Sequence, residues 1–183
     1  MPVDIDSIFR GGGKRLLDLL DFCVRAVEMD PLFLFLVQEY QYQPTTPRAM
    51  ALYQLFCAVD APARISAGTL LPPRNPLLEL ALQPVRASWL QRQAMPASAA
   101  PAAPAAYHLP SKYLFDTVAL HLRETSPALR RVRRRYRVRR SPIENLPDGR
   151  MNQAQRRFID QVWQPILRPR LVTAGFRQVT AIG

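Results

Sequence analysis

This chain is poor in the residue types that most enzymes use. Its 183 residues include two histidines, two cysteines and two lysines. His108 and His121 have no third ligand at metal spacing, so solvated or hydrogen-bonded histidines are expected rather than a zinc site. Cys23 and Cys57 are too few and too far apart for a disulfide framework or a zinc motif. Reduced core thiols are the expectation, and a helix-to-helix disulfide is the alternative. Of the seven glycines, only Gly11, Gly12 and Gly13 cluster, ahead of Lys14. A phosphate-binding loop would need a preceding strand and a Ser or Thr after the lysine, where this chain has Arg15. The acids after residue 93 (Asp116, Glu124, Glu144, Asp148 and Asp160) form no evident acid–base pair. No serine or cysteine sits in a nucleophile motif. The expectation is therefore a protein that is not an enzyme and holds no metal or cofactor.

Long apolar runs are missing as well. The longest, Leu32 to Val37, is far short of the ~20 residues needed to cross a bilayer. Asp4 and Asp6 stand where a secretory signal would be positive. The segment Phe9 to Val27, with Arg10, Lys14, Arg15 and Arg25 around an apolar stripe, would suit an uncleaved internal address.

What remains is an apolar fraction of 48%, enough for a core, punctuated by 18 prolines. Leu16, Leu20, Cys23, Val24 and Val27 repeat at helical steps, and Asp30-Pro31 is expected to stop that helix. Leu32 to Tyr40 reads as either a short buried strand or another helical turn. Thr45-Thr46-Pro47 supplies a cap and a first-turn proline for a helix carrying Ala49, Leu52, Phe56 and Val59. Asn75-Pro76 caps a short helix over 77–82, with another expected over 85–93 around Trp89. Residues 94–110 alternate Ala and Pro almost without charge and read as an extended tether. Beyond it, Ser111 is expected to cap a helix with Leu114, Val118 and Leu122. Ser126-Pro127 starts another helix with Leu129, Val132 and Tyr136 on one side, and residues 150–163 form a last one, ending before Pro165. The fold class expected is all-α: a charge-neutral helical domain (1–93), the tether, and a basic helical domain with a C-terminal tail (111–183).

Charge divides along the same line. Residues 1–93 carry nine basic and nine acidic side chains, so the whole net charge of +11 lies in the second half. The densest stretch holds Arg130, Arg131, Arg133, Arg134, Arg135, Arg137, Arg139 and Arg140, interrupted only by Val132, Tyr136 and Val138. Folding needs no such run, and like charges this close repel, so an anionic partner outside the chain is expected. Guanidinium groups fork onto phosphates or carboxylates alike, and Tyr136 could stack on a base.

The second half carries ordered landmarks: Phe115-Asp116-Thr117, then Ala128-Leu129-Arg130-Arg131-Val132, then Arg134-Arg135-Tyr136-Arg137-Val138-Arg139-Arg140-Ser141, Leu146-Pro147, and Phe158 to Trp163. In this order, over residues 112–168, it resembles the small matrix-side 14-kDa-type (subunit 7) family of the mitochondrial cytochrome bc1 complex. Residues 1–110 have no counterpart there. The resemblance implies a non-catalytic accessory subunit, peripheral on the matrix side of the inner membrane, bracing neighbouring subunits and free to touch anionic lipid head groups. The alternative expectation is a mitochondrial ribosomal protein gripping rRNA with the same arginines and Tyr136.

Overall fold

The computed structural model describes residues 4–94, 110–138 and 151–182, and among them every regular element is helical. The all-α class is therefore as expected. Residues 95–109 of the tether lie outside the described residues, as do Arg139, Arg140 and the landmark Leu146-Pro147.

Helix α1 (Ile5–Gly11) is capped by Asp4, whose carboxylate accepts the Asp6 N–H. The glycine cluster makes the junction with α2 (Gly13–Arg25): Gly12 and Gly13 both take positive φ, which a side chain would resist. The turn after α2 contains Val27, also at positive φ.

One expectation fails at the next boundary, and one open alternative is decided. Asp30-Pro31 does not stop α2 but opens α3 (Met29–Tyr42), because proline is tolerated in a first turn where its missing N–H would have no partner anyway. The ambiguous stretch Leu32 to Tyr40 is helical. Leu32, Phe33, Leu34, Phe35, Leu36 and Val37 are all buried, so this stretch of α3 is apolar all round because it is covered on every side. It is the central post of the fold.

Thr45 caps α4 (Thr46–Leu52) as expected, and the helix widens into a π-turn over Tyr53–Cys57. Ala58 is extended, so the expected continuation to Val59 does not occur, and Val59 is exposed. The two helices expected over 77–93 are one, α5 (Pro76–Ala94), which runs through Pro84. Its N-terminus is capped by Asn75, whose Oδ1 accepts the Leu78 N–H at 3.1 Å.

Ser111 accepts the Tyr113 N–H, but α6 (Asp116–Thr125) begins only after a turn. Next comes α7 (Pro127–Val138). Asn152 and Gln155 form a reciprocal capping box at the start of α8 (Gln153–Phe158), after which the chain continues as π-helical turns (Ile159–Leu167) and α9 (Arg168–Thr173). The expected stop at Pro165 is overridden. Wide turns need no i→i−4 bond from the proline, and the burial of Trp163, Leu167 and Leu171 holds the rod against the core.

Both halves of the sequence contribute to one core. Phe115 stands edge-on to Phe33 at 6.0 Å and to Tyr40 at 5.5 Å. The Tyr40 hydroxyl donates to the Ser111 carbonyl at 2.6 Å. Arg48 donates to the Gly175 carbonyl at 2.8 Å and lies over the Phe176 ring. Leu122, Leu129, Val132 and Trp163 belong to the same buried cluster as α1 to α5. The division of the sequence at 94–110 therefore does not divide the core.

Candidate anion-binding face

Helix α7 begins at a serine–proline pair. Ser126 is buried, and its Oγ accepts the Leu129 N–H at 3.3 Å, an N-cap for the free amides of the first turn. The Ser126 hydroxyl donates in turn to the carboxylate of Asp30, which is only 4% exposed. Asp30 also accepts the Ser66 N–H at 3.0 Å and the Ser66 hydroxyl. One buried carboxylate thus ties together the start of α3, the loop before residue 68 and the start of α7. Three donors replace the water that a buried anion loses.

From that anchor α7 turns Ala128, Leu129 and Val132 into the core against α3. Helical geometry then puts the arginines on the other side. Arg130, Arg131, Arg133 and Arg134 are exposed. Arg131 forks onto Glu28, its Nε and Nη2 donating at 2.8 and 2.9 Å to the two carboxylate oxygens. Those hydrogen bonds push the Arg131 pKa upward, against a smaller opposing effect of burial. Neutralisation of the run by the chain's own acids was not expected, and at Arg131 it occurs, because the acid comes from the other half of the sequence. No carboxylate among the described residues pairs with Arg130, Arg133 or Arg134. Arg135, Tyr136 and Arg137 lie on the last described turns of α7, so the backbone continues the helical pattern that far.

Beside this face, Glu28, Asp30, Arg64, Arg131, Pro127 and Phe158 line an open hollow of about 380 Å³. Sequence reasoning missed Glu28, Asp30 and Ser66, since nothing local marks a carboxylate that serves helices almost a hundred residues away. The serine–proline pair at 126–127 was the only legible end of that contact.

The other candidates have ordinary settings. Cys23 and Cys57 are free and fully buried, and burial pushes both thiols above their usual range. His121 is half-buried on α6, and His108 lies outside the described residues. Among the described residues, no group of three His, Cys, Asp or Glu side chains could hold a metal ion. Likewise, no helix among them is long and apolar enough to cross a membrane.

No protein-family model, curated protein or solved structure matches this chain.

Proposed function

We propose that this chain is a non-catalytic accessory component of a large assembly, docked onto an anionic surface by the arginines of α7. The observation that carries the reading is the exposed set Arg130, Arg133 and Arg134, without acid partners among the described residues, on a helix whose opposite side is fixed by Leu129, Val132 and Ser126. Its buried side ties the helix to the core, and of the arginines on its described exposed side only Arg131 is engaged by an acid of the chain, which leaves Arg130, Arg133 and Arg134 for binding. The ordered landmarks from Phe115 to Trp163 favour a respiratory complex of the bc1 type as that assembly. There the chain would brace neighbouring subunits from the matrix side of the inner membrane, with anionic lipid head groups within reach of the same arginines.

A second reading has its own support. The exposed residues described on α7 are Pro127 and arginines, with no large apolar side chain among them. Protein interfaces usually centre on apolar anchors, whereas phosphate backbones are met by bare positive charge. This favours rRNA of a mitochondrial ribosome as the runner-up partner. Native gels of detergent-solubilised mitochondrial membranes separate the two. The first reading expects the chain in a haem-containing band that survives nuclease. Migration with ribosomal particles, and release by nuclease, would replace it with the second. Migration with neither would remove both.

A further inference from the structure

Arg64 and Arg74 stand in the half of the chain whose charges balance, yet no carboxylate among the described residues pairs with either. Both belong to the loop between α4 and α5, and fixed backbone presents them. Ala63 and Ile65 are buried on either side of Arg64, and their N–H groups donate to the Leu55 and Phe56 carbonyls at 3.1 and 3.0 Å. Arg64 is exposed between these two anchors, and its Nη2 donates to the Pro72 carbonyl at 3.3 Å. Arg74 closes a turn, with its N–H donating to the Leu71 carbonyl at 2.9 Å. The two arginines line an open hollow of about 500 Å³, together with Val59, Ile65, Leu71 and Pro73. No acid and no aromatic side chain is in its walls. Val59 is 62% exposed there.

We infer that this hollow receives the phosphate head group of an anionic phospholipid. The guanidinium groups take the phosphoryl oxygens, and the aliphatic walls cover the glycerol and the first acyl carbons. Charge sets the first half of that assignment: two forked donors with no carboxylate beside them suit a phosphoryl anion. The walls set the second half. Sites for single-stranded nucleic acid stack bases on aromatic rings, which this hollow lacks. A bare phosphate would leave Val59 in water, whereas a lipid removes it from water and gains by doing so. The volume also lies in the range of about 300–1,000 Å³ usual for small-molecule sites. Arg64 lines the hollow beside α7 as well, with Arg131, so this site adjoins the arginine face. The inference goes beyond the reading of that face and does not depend on it.

The test uses dihexanoylphosphatidic acid, a phospholipid short enough to dissolve without forming vesicles. The arginines of α7 then meet no extended anionic surface. Titrated into the isotope-labelled full-length chain at about 0.15 M salt, it should give saturable NMR shifts at the Val59 methyl groups and at the Nε–H of Arg64 and Arg74. Arg64→Gln and Arg74→Gln should each weaken binding at least ~10-fold. Val59→Ser should weaken lipid binding ~3–10-fold and leave inorganic phosphate unaffected. All three positions are exposed, so helical circular dichroism should be the same in every variant. Inorganic phosphate alone should bind the same two arginines at least ~10-fold more weakly than the lipid. Equal affinity for phosphate and lipid overturns the proposal, and so does Val59→Ser without effect. Shifts that are absent, or confined to α7, overturn it too. A single-stranded RNA oligonucleotide that occupies the hollow more tightly than the lipid would put nucleic acid in its place. The reading of α7 stands or falls on the native gels, so each can fail without the other.

Discussion

Replacing Asp30 with alanine removes the acceptor for three donors at once: the Ser66 N–H, the Ser66 hydroxyl and the Ser126 hydroxyl. Each bond to a charged acceptor contributes about 1.5–3 kcal/mol net. The gross loss is partly offset because the variant no longer buries a carboxylate. The expected net cost is about 3–5 kcal/mol, a large part of the roughly 5–15 kcal/mol that holds a domain together. Asp30→Asn keeps one acceptor oxygen and should cost about half as much. Ser126→Ala loses the N-cap, about 1 kcal/mol, together with one of the three bonds. Since Asp30 and Ser126 share a hydrogen bond, the double variant should cost less than the two single ones added, by about 1–3 kcal/mol. Urea unfolding of the full-length chain gives these values. Hydrogen exchange locates them, because the amides of Leu129 to Val132 should lose protection in Asp30→Ala before those of α3. A loss below about 1 kcal/mol in Asp30→Ala, or strict additivity with Ser126→Ala, would refute the idea that this carboxylate anchors α7.

Three further outcomes are expected. Pro84→Ala should raise stability by about 1–3 kcal/mol, since it returns an N–H to the interior of α5 at an exposed position; thermal unfolding reads the gain. The Glu28–Arg131 pair should be worth no more than about 1 kcal/mol in a double-mutant cycle, despite its fork geometry, because the Arg131 side chain faces solvent. Stability should also fall in alkali. Cys23 and Cys57 keep their protons in the fold above the ordinary thiol value, so the unfolded chain releases protons that the native one retains. Their contribution is therefore complete below about pH 8.5 and declines above it, by up to about 1.4 kcal/mol per pH unit for each thiol. A urea midpoint that is level from pH 8 to 10 would contradict this.

Helical periodicity and proline chemistry made most of the architecture legible. Thr45, Asn75 and Ser126 cap the helices that their positions suggested, and the stripe of Leu129 and Val132 is the buried side of α7. Three of the errors came from reading proline as a stop. Pro31 opens a helix, Pro84 sits on the solvent side of one, and Pro165 is carried by wide turns, so the local penalty is avoided or outweighed in each case. A period-based reading also could not place Leu32 to Val37, because a segment buried on all sides has no polar face to reveal its period. The arginine face was visible as composition, but its anchor was not. Asp30 and Glu28 meet α7 only through the tertiary fold, a partnership that no local pattern encodes.

Holding and binding are separated on α7, and the separation has a measurable consequence. Val132 is 1% exposed and packs in the core, so Val132→Ala should cost about 1–3 kcal/mol through the cavity it leaves. Arg134 lies on the opposite side with no acid partner among the described residues, in a run where neighbouring guanidinium groups repel one another. Arg134→Gln should therefore leave the urea midpoint level or slightly raised. The same substitution should weaken attachment to the native assembly and make the remaining attachment less sensitive to salt, since one fewer charge is screened. If Arg134→Gln destabilised the isolated chain as much as Val132→Ala does, the arginines would be serving the fold itself. The argument for an external anionic surface would then lose its footing.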